Sequence, residues 1–290
     1  MNWQVALRLG RVSNLPTVWT NTLAGVVLAG GVAADRATLP LLVALSLFYT
    51  AGMYLNDAYD AEIDARERPE RPIPSGRVSA GTVFAAGFGM MAAGLLLLAW
   101  VGYGMAGGTG IGPVVGGIGL GAAIVLYNRR HKDNPASPVL MGLCRVLVYV
   151  TAGLAVAPAL PAPLWTGALL LLCYLIGLTY IAKQETLGEV RNLWPLAFLA
   201  APVVYAVLAA RYSVQGVVLG LLFVAWTGLA LWFLRRRQPG DVPRAVVSLI
   251  AGIALLDAVL IAAAGAAGVA WLAGAGFALT LLLQRYVAGT

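Results

Sequence analysis

Charge is scarce in this chain. Asp, Glu, Lys and Arg make up 11% of its 290 residues, whereas a soluble domain carries about a quarter. So few charges cannot cover a water-facing surface, which excludes a water-soluble globular enzyme. Histidine is scarcer still. His131 is the only one, and a histidine-based metal centre is excluded with it. The two cysteines, Cys144 and Cys173, fall in apolar stretches at a spacing that suits neither a disulfide framework nor a thiolate metal or redox pair. Both read as packing residues. Met1 to Arg11 lacks the charged head, short apolar run and small-residue cleavage site of a signal peptide. No low-complexity linker interrupts the chain, which reads as one domain over 1–290. The short alternating segments of a transmembrane β-barrel are missing as well.

What the chain has in quantity is apolar length. Hydrophobic residues are 60% of the total, and stretches of about 20 of them, long enough to cross a bilayer as helices, recur throughout. They fall at 15–33, 39–59, 80–102, 109–127, 138–157, 163–182, 193–210, 214–234, 245–263 and 268–287. This predicts an all-α, polytopic transmembrane bundle of nine to ten helices. The last two are separated by only Gly265-Ala266-Ala267-Gly268. The 35 glycines suit close helix packing in lipid. Gly116, Gly117, Gly119 and Gly121 belong to that pattern and not to a nucleotide loop, because no strand precedes them.

The net charge of +7 invites a nucleic-acid reading, but its distribution argues for topology. If ten segments alternate across the membrane, every Lys and Arg except Arg36, Arg211 and the intrahelical Arg145 falls on one side. Basic residues near helix ends mark the cytoplasmic face. Both termini and any chemistry at the basic end are therefore expected on the cytoplasmic side of a bacterial cell membrane. The loops on the other side are too short to form a domain.

The second apolar stretch ends in Tyr54-Leu55-Asn56-Asp57-Ala58-Tyr59-Asp60-Ala61-Glu62-Ile63-Asp64. On a helix, Asn56, Asp60 and Asp64 share a face and Asp57 flanks it. Carboxylates stacked this way repel one another unless a cation compensates, and acids at the end of a membrane helix are functional candidates. An oxygen-only donor set suits a hard ion such as Mg²⁺, which takes one or two carboxylates and leaves its other positions to water and phosphate. The blander alternative is a solvated helix end whose acids pair with the arginines that follow. Glu62, Glu67 and Glu70 are read that way. The next loop, Arg66-Glu67-Arg68-Pro69-Glu70-Arg71-Pro72-Ile73-Pro74-Ser75-Gly76-Arg77, is stiffened by three prolines, and arginines beside a metal site grip phosphate oxygens well. Arg68 and Arg77 are assigned to topology alone. Ser79 reads as the cap of the third helix.

The combination Asn56-Asp57-x-x-Asp60-x-x-x-Asp64 followed by Arg71-Pro72-Ile73-Pro74-Ser75-Gly76-Arg77 resembles the UbiA superfamily of membrane prenyltransferases. The similarity extends to Arg11 and Asn14 before the first helix, and to Tyr127 with the basic cluster after the fourth. It implies an all-helical bundle with a central cavity in which Mg²⁺ binds an isoprenyl diphosphate. It also implies a second acidic motif after the sixth helix. Where the family usually has aspartates, this chain has Glu185 and Glu189, with Lys183 beside them. That Lys-Gln-Glu form is similar to the UbiA-like proteins called EboC, found with clusters linked to export or processing of secondary metabolites.

The expected chemistry is Mg²⁺-dependent transfer of an isoprenyl group from its diphosphate to an aromatic or other small acceptor. The resemblance assigns metal binding to Asn56, Asp60, Asp64, Glu185 and Glu189, and catalysis to Asp57, Asp60, Asp64, Glu185 and Glu189. Arg11, Asn14, Arg66, Lys132, Lys183 and Arg145 are the candidate diphosphate contacts. Arg145, charged inside the fifth helix, either helps hold phosphate or pairs with an acid near the cavity. Asp257, mid-helix in the ninth stretch, reads as a buried structural partner. His131 reads as a loop residue. Two other readings stand beside this one. A homologue with Glu185 and Glu189 could bind or help export an isoprenoid or secondary metabolite without transferring it. An ion-coupled transporter could use Asp57, Asp60 and Asp64, although no helix pair broken in mid-membrane accompanies them.

Overall fold

The computed structural model describes residues 2–132, 134–184, 194–210 and 213–287. Among them are twelve α-helices and no strand. A short α1 (Trp3–Leu9) precedes α2 (Leu15–Leu28), α3 (Thr38–Tyr59) and the brief α4 (Ala61–Glu67). There follow α5 (Ala80–Ala99), α6 (Gly112–Arg130), α7 (Ser137–Leu154), α8 (Ala162–Lys183), α9 (Ala200–Ala209), α10 (Val214–Arg236), α11 (Asp241–Ala263) and α12 (Ala267–Gln284). In lipid a backbone polar group has no water to bond, so apolar segments satisfy their amides internally as helices.

Seven helices are long and apolar enough to cross a membrane: α3, α5 with its π-helical extension to Gly104, α7, α8, α10, α11 and α12. The other three predicted stretches are also helical but fall short of that standard. Helix α2 has only 14 residues. Helix α6 is diluted by its glycines and ends in Asn128-Arg129-Arg130. The stretch 194–209 is a 3₁₀ turn leading into α9. The chain is thus a multi-pass membrane bundle whose helices follow the ten apolar stretches.

Helix α11 is the hub. It is buried on every side along nearly its whole length, as expected for a helix apolar all round. The apolar core around it takes in α8, α10 and α12. A second core joins α2, α3, α6 and α7. Small residues set how closely the helices approach. A β-carbon on Gly25 of α2 would stand 2.7 Å from the Tyr149 carbonyl oxygen of α7, and one on Gly116 of α6 would stand 2.9 Å from the Thr151 Cα. Ser79 caps α5 as expected, accepting from the Thr82 amide at 3.2 Å.

One end of the bundle gathers the polar residues. Lys183, ending α8, donates to the Asn134 carbonyl and to Ser137 Oγ, both at 2.9 Å, so the α6–α7 connection and the end of α8 lie together. Arg11 reaches the end of α3, and Gln284, ending α12, donates to Asn14 Oδ1 at 3.2 Å. Of the predicted site residues that are described, all but Arg145 stand at this end.

Candidate functional site

The acidic motif straddles a break. Helix α3 ends at Tyr59, and Asp60 stands between it and α4. The amide ladder nevertheless runs on, from Asp60 N to Asn56 O at 3.0 Å and from Asp64 N to Asp60 O at 2.8 Å. Asn56, Asp60 and Asp64 therefore keep their one-turn steps. All three, and Asp57, are buried, with Asp64 at 3% exposure. Buried carboxylates need paired charge or hydrogen bonds; Asp57 and Asp64 pair with arginines, and Asp60 meets His131.

Arg11 Nη2 donates to Asn56 Oδ1 at 3.1 Å and to Asp57 Oδ1 at 3.2 Å. Its backbone sits at φ 41°, in the left-handed region, which costs a non-glycine residue about 1–3 kcal/mol. That turn, between α1 and α2, brings Arg11 against the end of α3, and Tyr49 Oη donates to its carbonyl at 3.3 Å. Arg71 Nη1 lies 2.8 Å from Asp64 Oδ2 and 3.4 Å from Asp57 Oδ1. His131 Nε2 is 3.4 Å from Asp60 Oδ2, with its ring stacked on Tyr127. Asn56 Nδ2 donates to Asn128 Oδ1 at 3.2 Å, and Asn128 Nδ2 donates to the Gly52 carbonyl. A pocket of about 220 Å³ opens beside Asp60, lined by Tyr59, Ile63, Asn128, Arg129, His131 and Lys132.

These contacts correct parts of the sequence reading. Arg71, not Arg66, faces the acids, and Arg66 is exposed. Glu62, Glu67 and Glu70 are exposed and make no ion pair among the described residues, so they do not pair with the arginines that follow. The arginine pairs go to Asp57 and Asp64 instead. His131 is not a bystander in a loop, since it meets Asp60. Arg11 lies at the site and Lys132 lines its pocket, while Asn14, three residues beyond Arg11, accepts from Gln284 of α12. Lys183 is spent on Asn134 and Ser137. Glu185 and Glu189 lie outside the described residues. Asn128 and Arg71 were legible only as members of the basic stretches that carried the resemblance.

Arg145 and Asp257 belong to a separate network deeper in the bundle. Asp257, on α11, is fully buried. It accepts from Thr20 Oγ1 at 2.5 Å, from Asn21 Nδ2 at 2.8 Å and from Tyr149 Oη. Arg145 Nη1 donates to Asn21 Oδ1 at 3.0 Å, and its guanidinium lies 5.3 Å from the centre of the Tyr49 ring. The Asn21 amide thus relays between the two charges and ties α2, α7 and α11 together. Removing a buried charge from such a network strands its partners, which costs about 3–5 kcal/mol. Asp257→Ala is expected to lower the melting temperature of the detergent-solubilised protein accordingly. A melting curve matching the parent's would show that the network carries no stability.

Among the described residues no three acidic, histidine or cysteine side chains converge into a closed metal cage. The donors at the end of α3 still fit Mg²⁺, which uses one or two carboxylates and completes its shell from water and phosphate oxygens. Asn56, Asp57, Asp60 and Asp64 offer oxygen only, at a bundle end where Arg11, Arg71 and Lys132 supply positive charge.

Known proteins share part of this sequence and its fold. Digeranylgeranylglyceryl phosphate synthase from Metallosphaera sedula is 37% identical over 98 residues, 33% of this chain and 34% of that protein. The one from Ignicoccus hospitalis is 34% identical over 122 residues, 42% of this chain and 36% of that protein. The matched segments thus span about a third of the curated relatives' length. Among solved structures, a UbiA homologue from Aeropyrum pernix K1 superposes with a TM-score of 0.68 at 16% identity, covering 87% of this chain and 97% of that one. A UbiA homologue from Archaeoglobus fulgidus bound to GPP and Mg²⁺ gives 0.64 at 16% identity, covering 91% and 99%. The model of the UbiA prenyltransferase family matches residues 18–187, which include the whole acidic motif and the loop after it, and the chain belongs to that family.

Proposed function

We propose that this protein is a Mg²⁺-dependent membrane prenyltransferase that moves an isoprenyl group from an isoprenyl diphosphate to a small acceptor. The observation that carries the reading is the buried set Asn56, Asp57, Asp60 and Asp64, ringed by Arg11, Arg71 and Lys132 at one end of a lipid-facing bundle. In this reading Glu185 and Glu189 supply the second carboxylate pair. The positive-inside bias puts the site on the cytoplasmic side of the membrane.

The reaction breaks the bond between the allylic carbon and the diphosphate oxygen, and the electron pair leaves with the diphosphate. The acceptor's nucleophilic atom bonds to that carbon and loses its proton. Bound Mg²⁺ supplies Lewis-acid neutralisation of the negative charge that develops on the departing diphosphate. Asn56, Asp60 and Asp64 would hold it, and Arg11 and Lys132 would add fixed positive charge towards the same oxygens. The apolar helices hold the isoprenoid chain and keep water from the allylic cation.

The relatives are named for a glyceryl phosphate product, so an isoprenoid-bearing glyceryl phosphate stands beside aromatic compounds as a candidate acceptor. The test incubates purified protein with labelled isoprenyl diphosphates of graded length, Mg²⁺ and both acceptor types. Transfer to one of them is expected. Diphosphate retained with Mg²⁺ but turned over with no acceptor in the panel would point to the non-catalytic, isoprenoid-binding alternative. A protein that retains no diphosphate with Mg²⁺ would overturn both.

A further inference from the structure

Several of the oxygens that could receive a divalent cation already accept from arginine. Asp57 Oδ1 accepts from both Arg11 and Arg71, Asp64 Oδ2 accepts from Arg71, and Asn56 Oδ1 accepts from Arg11. A single guanidinium nitrogen of Arg71 thus bridges two carboxylates, one on α3 and one on α4. These groups are buried or nearly so, and Arg71 itself is mostly shielded, its side chain 16% exposed. A Mg²⁺ ion and a guanidinium cannot occupy the same carboxylate oxygens, because their charges repel and the ion needs the lone pairs the arginine uses. An ion that takes Asp64 Oδ2 therefore has to displace Arg71.

The loop that carries Arg71 permits that displacement without moving its backbone. Arg71 N bonds to Arg68 O, Ser75 N bonds to Arg71 O, Gly76 N bonds to Ile73 O and Arg77 N bonds to Pro72 O, each at 3.0 Å. Ser75 Oγ also donates to the Arg71 carbonyl at 2.7 Å. Pro69, Pro72 and Pro74 fix the intervening φ angles. Against this rigid frame the Arg71 side chain is the part free to swing. Once released it is a partly buried cation without a partner, a costly state. Its planar fork matches the oxygens of a phosphate as well as those of a carboxylate.

Resting on the reading of this cluster as the diphosphate site, we propose that Arg71 is a hand-over residue: it holds Asp57 and Asp64 together until a divalent cation takes Asp64, and then pairs with the diphosphate that arrives with the cation. Arg71 consequently opposes binding of the cation alone and favours binding of the diphosphate. Cation and diphosphate bind cooperatively because each removes the other's penalty. A group that only braced the site, or only held phosphate, would not produce these opposite signs.

The test titrates the full-length protein in detergent with Mn²⁺, read by its paramagnetic signal, with and without inorganic diphosphate. Parent, Arg71→Gln and Arg71→Lys are compared, with Arg68→Gln as a control on the same loop. Arg71→Gln is expected to bind Mn²⁺ alone about tenfold more tightly and to bind diphosphate in saturating Mn²⁺ about tenfold more weakly, the scale of one charged hydrogen bond. Lysine keeps the charge but lacks the planar fork that matches phosphate oxygens, so Arg71→Lys shifts both affinities in the same directions by less. If Arg71→Gln does not fold, the lysine variant carries the test by the sign of its two shifts. Weaker Mn²⁺ binding in the Arg71 variants, or unchanged Mn²⁺ affinity, overturns the hand-over. So does diphosphate affinity equal to the parent's. Failure of the parent itself to bind Mn²⁺ and diphosphate would instead overturn the functional reading on which the hand-over rests.

Discussion

Asp60→Ala is expected to lower the rate of prenyl transfer by at least about 10²–10³-fold, the usual cost of removing one preorganised electrostatic contact at developing charge. Asp60 is the acid of the cluster that makes no arginine pair. Its partner is His131, and its side chain borders the pocket formed with Asn128, Arg129 and Lys132. It sits at the break between α3 and α4, so it can turn towards a ligand without unwinding either helix. The same substitution removes one of three neighbouring like charges. The folded protein should therefore melt close to the parent temperature, which separates loss of chemistry from loss of structure. Asp60→Asn, which keeps the shape and removes the charge, should be as inactive as the alanine variant. Transfer within tenfold of the parent in either variant would remove Asp60 from the site.

Stripping divalent cations is the second large effect. Transfer by the chelated protein is expected to fall to the uncatalysed background and to return with Mg²⁺ or Mn²⁺. The physical ground is the donor set. Asn56, Asp57, Asp60 and Asp64 present oxygen alone, which selects hard ions, and a departing diphosphate carries more negative charge than Arg11 and Lys132 can neutralise unaided. Retention of labelled isoprenyl diphosphate on the protein should fall in parallel, giving a readout independent of turnover. Undiminished transfer under chelation would assign the neutralising role to the arginines and lysines alone.

Much of the architecture is written in composition and period. Runs of about twenty apolar residues have one solution in lipid, a helix with its own amides satisfied, so the helices fall where the hydropathy placed them. The acidic motif was equally plain, because four oxygen-bearing side chains at the end of an apolar helix have no packing reason to be there. Its partners were harder to read. Arg66 is nearer Asp64 in sequence than Arg71, but two helical residues turn the chain about 200°, and the nearer arginine faces outward. Arg71 reaches the acids because the proline-rich loop doubles back after α4.

Asp257 shows the same division at greater separation. Its position in mid-helix marked it as buried, yet nothing local named its partners. Thr20 and Asn21 come from a helix more than 230 residues away in sequence, and Tyr149 from a third helix. Those three elements meet because glycines such as Gly25 let their backbones approach. Local chemistry in the chain thus determined the membrane bundle and the oxygen-rich motif at its end, since both follow from solvent preference and helical spacing over a few residues. Which cation sits on which carboxylate was decided only by tertiary structure, because ion pairs depend on loops that reverse direction and on helices brought together across the whole chain.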